Sequence, residues 1–583
     1  MVIVVNYQKR KNSELFKRLE EPDSLFLSKT QNYIPIYNRF LALNETNYNS
    51  INLNHKWYIS SVDCKEDENT YNCHIKNIQN QKVKEREIFF KMAPLLDPYK
   101  YLVGKYNVKD PNLFNLPTLN STNADTHSKF LDMNNSAYVD GLFLFLTNSL
   151  IHEYKFINGV DYYGSFLALK NDFKLNIFDD IDYLNDSEFF NKHKNILYTV
   201  DDYDHLFKPE EKKLKPIKIE YDSSPELNIS LNSFETFDDL FNDTNDTNDT
   251  PDVVPDTISE LNEITIDALY GNNKDDKVTT LRSNSSCSSN SSHTDDECDE
   301  LDDNNDTNDT NDNIDENQDD DSNDWGTDDE SSVDDNVEVT IPKFPIQLIC
   351  MECCEDTFDN LILSNELKPE EWYSAFMQII MILITYQKTF SFTHNDLHTN
   401  NVMYNSTDKK YIYYRYKKKN YRVPTFGRIF KIIDFGRSIY KFNGKIFCSD
   451  SYQLGGDAAT QYNTEPYFNE QKPRLEPNFS FDLCRLACSI FDYVIDDIKK
   501  IDHSDPVKQL IYEWCLDDKG VNLLYKNNGV ERYPEFKLYK MISRCVHNHT
   551  PQAQLERQGF KVYEFSGDIK VEVFDIDQLP CHV

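Results

Sequence analysis

Alternation of apolar and polar side chains predicts a β-hairpin between Trp57 and Pro94. Residues 71–78 alternate, a polar turn spans 79–85, and a second apolar stretch covers 87–92. Because successive side chains of a strand point to opposite faces, the alternating stretch has one apolar face. The segment therefore predicts two paired strands that cover a core.

Helical spacing follows further along the chain. Residues 138–156 carry apolar side chains three and four positions apart, and a strand-like stretch covers 160–169. Another stretch of strand length covers 344–351, and a long helix is predicted to begin at Pro369 and end before Ser391. Proline suits the first turn of a helix, where its missing N–H leaves no hydrogen bond unmade. This order of strands and helices indicates an α+β fold.

Two segments lack such patterns. Residues 1–56 are polar and aromatic without a clear period, and we interpret them as an N-terminal extension. Residues 241–338 contain Asn-Asp-Thr repeats and few aromatic side chains. A segment of this composition cannot bury enough apolar surface to offset the entropy lost on ordering. We therefore predict a long disordered insertion there.

Charge is concentrated in the same insertion. The 583 residues include 61 Lys+Arg and 99 Asp+Glu, a formal net charge of -38. Of these, three basic and 32 acidic residues lie within 241–338, so this segment carries -29 and the remaining 485 residues carry -9. A chain of this charge is not expected to coat nucleic acid or bind an anionic membrane. The insertion itself offers a surface for basic partners.

Cysteine usage and hydropathy point to the compartment. The 13 cysteines show neither metal-ligand spacing nor a disulfide framework, which favours a reducing environment. The longest apolar stretches, 141–146 and 379–384, are far shorter than the ~20 residues that a membrane span needs. The apolar N-terminal run is too short for a secretory signal. We predict a soluble intracellular protein with no membrane partner.

Two motifs carry the chemistry. The first, after the long helix, contains His394, Asp396 and Asn401 in the spacing H-x-D-x-x-x-x-N. The second is an apolar strand ending in Asp434-Phe-Gly. In this order the motifs resemble those of the protein-kinase superfamily. The resemblance covers roughly 57–235 and 340–555 and is specific at 390–440.

The resemblance implies a bilobal kinase-like fold with the acidic insertion in the N-lobe. The chain then divides into an N-terminal extension (1–56), the first part of the N-lobe (57–240), the insertion (241–338), the last N-lobe strand and hinge (339–354), and the C-lobe (355–583). It also implies a protein substrate, with ATP and Mg²⁺ as cofactors.

The motif residues take roles by the same resemblance. Asp396 would be the catalytic base that accepts the proton of the acceptor hydroxyl, while Asn401 and Asp434 would hold Mg²⁺. Asp482, at the start of a C-lobe helix, would brace the catalytic loop. Phosphoryl transfer requires a carboxylate near the incoming hydroxyl and cations that neutralise the triphosphate, so these residue types suit the reaction.

The residues expected to bind the nucleotide are assigned from their position along the chain relative to the family's pattern. Lys91, on the second strand of the predicted hairpin, would bind the α- and β-phosphates. Its acidic partner should lie on the following helix, where Asp140 and Glu153 are both possible. Glu352 and Cys354 follow the stretch that resembles the last N-lobe strand, and would line the adenine site at the hinge.

Two departures from the family pattern leave alternatives open. No glycine precedes Gly104, so no Gly-rich loop precedes Lys91 to close its backbone N–H groups over the phosphates. His398 stands where most serine/threonine kinases carry lysine. A histidine at this position is similar to small-molecule phosphotransferases of the aminoglycoside and choline type, and to some atypical protein kinases. The predicted function is ATP- and Mg²⁺-dependent transfer to a protein serine or threonine. The alternatives are a small-molecule phosphotransferase and an impaired pseudokinase that acts as a binding module.

Residues 409–422 contain seven basic side chains interleaved with five tyrosines. This stretch has three interpretations: a nucleic-acid surface, a solvated hairpin that extends the two strands around the metal site, or a contact with the chain's own acidic insertion. Nucleic acid is expected as a partner only through this hairpin.

The abundance of Asn, Ile, Lys and Tyr, together with the kinase outline, resembles serine/threonine kinases of amoeba-infecting giant DNA viruses of the mimivirus type. That resemblance implies a location in the host cytoplasm or the virion.

Overall fold

The computed structural model describes residues 3–203, 337–364, 367–567 and 569–582. The chain up to residue 352 is rich in strands. Its elements in chain order are β1 (Tyr7–Lys9), α1 (Ser13–Leu19), β2 (Leu27–Gln31), β3 (Ile51–Leu53), β4 (Trp57–Lys65), β5 (Thr70–Asn77), β6 (Val83–Pro94), α2 (Pro98–Leu102), α3 (Ser128–Leu131), α4 (Ser136–Tyr154), β7 (Tyr162–Asn176), α5 (Ile181–Asn185), α6 (Glu188–His193), β8 (Thr199–Val200) and β9 (Glu338–Glu352).

Seven of the described strands form one curled sheet in the order β2-β7-β9-β6-β5-β4, with β8 also paired to β9. The predicted hairpin is confirmed, because β5 and β6 pair in antiparallel fashion. β6 pairs on its other side with β9, which sets Lys91 opposite Ile349. Directly opposed residues share a face of the sheet, so the side chain of Lys91 lies on the same face as that of Ile349.

The segment interpreted as an N-terminal extension contributes one strand, β2, to this sheet, while its β1 and β3 pair as a separate two-stranded sheet. β2 pairs with β7, and aromatic rings of the segment lie against the sheet. The ring of Phe16 is 5.1 Å from that of Phe166, and the ring of His55 is 5.0 Å from that of Tyr162. The sequence shows no period here because the elements are short and residues with positive φ separate them.

Helix α4 and strand β7 confirm the elements predicted over 138–156 and 160–169. The helix is buried along most of its length and contacts β7 and β9. Gly141 permits this approach, since a Cβ atom there would lie 2.1 Å from the side-chain nitrogen of Gln347. The glycine thus sets how closely Asp140, beside it, approaches the sheet.

The strand predicted over 344–351 is confirmed as part of β9. The described chain stops at residue 203 and resumes at 337, and the flanking strands pair with each other, Thr199 opposite Thr340. The chain therefore leaves the sheet and returns to it at neighbouring positions, as an insertion does. The predicted disordered segment, 241–338, lies outside the described residues except for its last two positions.

Beyond β9 the chain is richer in helices. Its elements are β10 (Asp356–Thr357), α7 (Phe358–Ser364), α8 (Pro369–Phe390), β11 (Val402–Ser406), β12 (Tyr411–Tyr416), β13 (Lys419–Pro424), β14 (Arg428–Ile432), β15 (Ile439–Phe442), β16 (Lys445–Cys448), α9 (Phe481–Val494), α10 (Pro506–Trp514), α11 (Phe536–Cys545), α12 (Pro551–Gln554), α13 (Gln558–Lys561) and β17 (Phe574–Asp575). Helix α8 confirms the predicted long helix, and most of its side chains are buried. Within the described ranges, no helix has the length and apolar character required to cross a membrane.

The basic and aromatic stretch 409–422 does form a hairpin, β12–β13. The hairpin continues the antiparallel pair of β11 and β14, because backbone hydrogen bonds from Thr407 to Gly427 and from Thr425 to Lys410 join the two pairs of strands. Strand β12 also pairs with β17. Tyr414 and Tyr421 are buried, and the Tyr414 hydroxyl donates to Asn158 Oδ1 at 2.7 Å. Two of the rings that base stacking would need are therefore occupied in the core. A contact with the acidic insertion lies outside the described residues.

Candidate active site

Lys91 lies between two carboxylates. Its Nζ is 2.6 Å from Asp140 Oδ2 on α4 and 2.9 Å from Asp434 Oδ1 in the segment after β14. Of Asp140 and Glu153, the two acidic partners that the sequence left open for Lys91, the structure therefore selects Asp140. Glu153 lies 13 residues further along α4, which at 1.5 Å per residue is about 20 Å along the axis.

Asp140 also joins the helix to the second motif. Its Oδ1 accepts a hydrogen bond from the backbone N–H of Phe435 at 3.0 Å, while its Oδ2 receives Lys91. The Asp140 side chain is only 2% exposed. Burial raises the pKa of Asp140 above its ordinary value, against the opposing effect of Lys91. One carboxylate thereby holds three separate parts of the chain together.

Asp434 follows β14 in a left-handed backbone conformation, with φ of 61°. This turn directs its side chain toward Lys91, while the ring of Phe435 is buried against Phe143 at 4.6 Å. Burial tends to raise the pKa of Asp434, but the charge of Lys91 outweighs it and the net pKa lies below the ordinary value. Asp434 is therefore ionised at neutral pH.

Hydrogen bonds to Asp482 hold the loop that contains the first motif. α8 ends at Phe390, and the buried Asp482 of α9 accepts hydrogen bonds from the backbone N–H groups of His394 at 3.0 Å and Asn395 at 2.9 Å. These bonds hold the loop against α9, as predicted for Asp482. His394 Nε2 is also 2.9 Å from the carbonyl oxygen of Ile433, which ties this loop to the strand before Asp434.

Asn401, which the sequence analysis predicted as a Mg²⁺ ligand, connects the two motifs. Its side-chain nitrogen donates to the Asp396 carbonyl at 2.9 Å and to His398 Nε2 at 3.1 Å. Its backbone carbonyl accepts from the N–H of Ile433 at 3.0 Å, one residue before Asp434. Because the amide nitrogen is engaged, the amide oxygen is the atom that Asn401 offers to a cation.

His398 is a neutral side chain at this site. Burial lowers the pKa of His398 to about 4, although Asp396 opposes the shift. A neutral imidazole is also what the hydrogen bond from Asn401 requires, because Nε2 accepts it. His398 therefore supplies no positive charge at pH 7.

The carboxylate of Asp396 is surrounded by groups that the sequence analysis did not identify. The Tyr539 hydroxyl donates to its Oδ1 at 2.7 Å, and Arg437 Nη1 lies 3.7 Å from its Oδ2. Burial tends to raise the pKa of Asp396, but Arg437, Arg485 and the Tyr539 hydrogen bond outweigh it and hold the pKa well below the ordinary value. Arg437 directly follows the second motif, so its position in the sequence could have identified it. Tyr539, on α11, is near no motif in the sequence and could not have been identified in this way.

Glu352 is engaged in the fold. Its carboxylate receives Lys431 Nζ at 3.0 Å, Asn405 Nδ2 at 2.8 Å and the backbone N–H of Asp161 at 3.0 Å. Cys354 lies in the segment between β9 and β10, where burial raises the pKa of its thiol to about 12. Lys91 thus contacts Asp434, Asn401 contacts Asp396, and the backbone hydrogen bond between Ile433 and Asn401 joins the two pairs, whereas the Glu352 side chain is engaged with Lys431 and Asn405.

The turn between β4 and β5 approaches the strand of Lys91. The Asn69 carbonyl accepts from the N–H of Phe90 at 2.8 Å, so the turn lies beside the residue that precedes Lys91. Its other residues, 66–68, are the acidic sequence Glu-Asp-Glu and are exposed. This hairpin turn therefore places exposed acidic residues beside strand β6, which carries Lys91.

The sequence matches no protein-family model, and the search of curated proteins finds no match.

Proposed function

We propose that this protein is an ATP- and Mg²⁺-dependent phosphotransferase with a bilobal, protein-kinase-like fold, acting on a protein serine or threonine. One observation carries the proposal: Lys91 Nζ lies within 2.9 Å of both Asp140 and Asp434, and the loop of Asp396 and Asn401 is bonded to the Asp434 segment. An oriented amine, oxygen donors for a metal and a carboxylate for the acceptor are the parts that phosphoryl transfer needs.

The donor set suits Mg²⁺. Asp434 offers an ionised carboxylate and Asn401 an amide oxygen, both ligand types that this ion prefers. Nucleotide-bound Mg²⁺ takes one or two carboxylates from the protein and completes its octahedron with phosphate and water oxygens. When bound, the ion neutralises charge on the triphosphate. Across the part of the chain that the structure describes, no group of three or more His, Cys, Asp or Glu side chains is arranged to hold a metal.

The chain's own residues then have distinct tasks. Lys91 binds phosphate oxygens, and Asp140 orients it while fixing the Phe435 backbone, so the amine and Asp434 keep a constant separation. Asp396 receives the proton of the acceptor hydroxyl. Arg437 supplies positive charge beside it, a task for which neutral His398 is unsuited.

A second function is favoured by the acidic turn of residues 66–68. A triphosphate on Lys91 would meet like charge from this turn, where backbone N–H groups would be more suitable. The corresponding candidate is a binding module that does not use nucleotide.

Thermal unfolding with and without millimolar Mg·ATP separates the two functions. A ligand at 100 times its dissociation constant stabilises a protein by about 2.7 kcal/mol. We expect an upward shift for the wild type and for Asp396→Asn, and none for Asp434→Asn. No shift in the wild type would overturn the proposed function and support the binding module.

The acceptor class is tested by transfer of labelled phosphate. The full chain is incubated with casein, histone, an amino sugar or choline, with Asp396→Asn as the inactive control. Labelling of serine or threonine in a protein is expected; labelling of the small molecules alone would assign the small-molecule phosphotransferase.

A further inference from the structure

Tyr539 occupies a position that the proposed function does not explain. It lies on α11, about 140 residues after the loop of Asp396, yet its hydroxyl donates to Asp396 Oδ1 at 2.7 Å. Its ring packs beside Phe536 at 5.5 Å and Phe481 at 6.1 Å. These contacts hold the phenol on the catalytic carboxylate.

This geometry is that of an acceptor hydroxyl and its base. A general base must lie about 2.6–3.2 Å from the oxygen whose proton it removes, and the Tyr539–Asp396 distance falls inside that range. Burial raises the pKa of Tyr539, so the phenol is protonated at neutral pH and needs a base before it can act as a nucleophile. Asp396 is the carboxylate in contact with it.

Two arginines lie beside the Tyr539 side chain. Arg485 on α9 lies 5.0 Å from the Tyr539 ring and interacts with its hydroxyl, and Arg437 lies 5.8 Å from the ring. The backbone carbonyl of Arg437 is fixed by hydrogen bonds from Asn395 and Tyr452. The Nε of Arg485 is buried and makes no hydrogen bond within the described residues. Guanidinium groups are suited to binding a phosphate through charge-assisted hydrogen bonds.

We propose that Tyr539 is itself a phosphoryl acceptor, modified within its own chain. This inference rests on the proposed function, which supplies the nucleoside triphosphate. The Tyr539 oxygen forms a bond to the terminal phosphorus while the bond from that phosphorus to the bridging oxygen breaks. The nucleoside diphosphate leaves with the electron pair, and the phenolic proton passes to Asp396 Oδ1. Arg437 and Arg485 neutralise the new phosphate.

The test is peptide mass spectrometry of the full chain after incubation with Mg·ATP. We expect up to one phosphate per chain on Tyr539, formed with a first-order rate constant that does not change over a 100-fold range of protein concentration. Tyr539→Phe should lose this phosphate. Tyr525→Phe is the matched control, because Tyr525 also donates to a carboxylate, Asp492 at 2.9 Å, but Asp492 belongs to neither motif. This variant should keep the Tyr539 phosphate.

An Asp434→Asn chain mixed with the wild type distinguishes transfer within a chain from transfer between chains. The variant chain should remain unmodified at Tyr539. Its labelling, or a rate constant proportional to protein concentration, would overturn the intramolecular proposal. Nucleotide consumption or casein labelling without phosphate on Tyr539 would overturn this inference and leave the proposed function standing. Absence of any nucleotide consumption would contradict both proposals.

Discussion

Lys91 and Asp140 are 49 residues apart in the chain, and their side chains meet at 2.6 Å. The pair joins strand β6 to helix α4, and Asp140 continues the connection to the backbone of Phe435. The Lys91 amine is the charge partner of Asp140, which is almost fully buried. Loss of either group would therefore leave the charge of the other poorly solvated.

Replacement of Lys91 should therefore abolish nucleotide chemistry. We expect Lys91→Met to reduce ADP formation by about 100-fold or more, because a fixed cation at the developing charge is lost. Lys82→Met, in the exposed turn before β6, is the matched control and should stay within about twofold of the wild type. Activity is measured per folded molecule, and retention of more than a third of it in Lys91→Met would refute the assignment.

Gly141→Ala tests how α4 sets the position of Asp140. The added methyl group would press on Gln347, which is buried and donates to Ser165 at 2.6 Å. We expect a loss of about 1–3 kcal/mol in the free energy of unfolding and a lower rate of ADP formation. Glu153→Ala, at an exposed position of the same helix, should change neither quantity; a large loss of activity there would argue against Asp140 as the partner of Lys91.

The Glu352–Lys431 pair should contribute to stability. Their atoms lie 3.0 Å apart, with side-chain exposures of 25% and 7%. Removing one partner leaves a buried charge unpaired, so Glu352→Gln should lower the free energy of unfolding in urea by about 3 kcal/mol. The double variant Glu352→Gln/Lys431→Met should lose less than the sum of the single variants. Additive losses would mean that the two side chains do not interact.

His55 should make stability depend on pH between about 6.5 and 4. Burial lowers the pKa of His55 to about 4, so the folded state binds this proton less readily than the unfolded state. The contribution of His55 is complete above the ordinary pKa and is lost as the pH falls toward 4, by up to about 3 kcal/mol. His55→Asn should flatten the dependence, measured by urea unfolding at pH 7, 6, 5 and 4.5.

His503→Asn, at an exposed position, is the control for this dependence and should retain the wild-type slope. An unchanged slope in His55→Asn would show that the N-terminal segment does not bury a neutral imidazole against Tyr162.

Local patterns were sufficient for the main elements and for the motif residues. The hairpin β5–β6, helices α4 and α8, and strand β9 follow from spacing that repeats within each segment, and spacing is a local property. The motifs around Asp396 and Asp434 are also local, so their residues were identified without the structure. The elements within residues 1–56 were not predicted, because they are too short to show a period and are held by contacts with distant strands.

The sequence by itself thus determined the main strands and helices, where the charge is concentrated, and which carboxylates and amide stand in the two motifs. Only the tertiary structure decided which distant side chains meet. It selected Asp140 over Glu153, engaged Glu352 with Lys431, and brought Tyr539 to Asp396. The physical reason is that these contacts depend on the register of β6 with β9, on the packing of α4 and on the packing of α11. The spacing of residues within one segment encodes none of these.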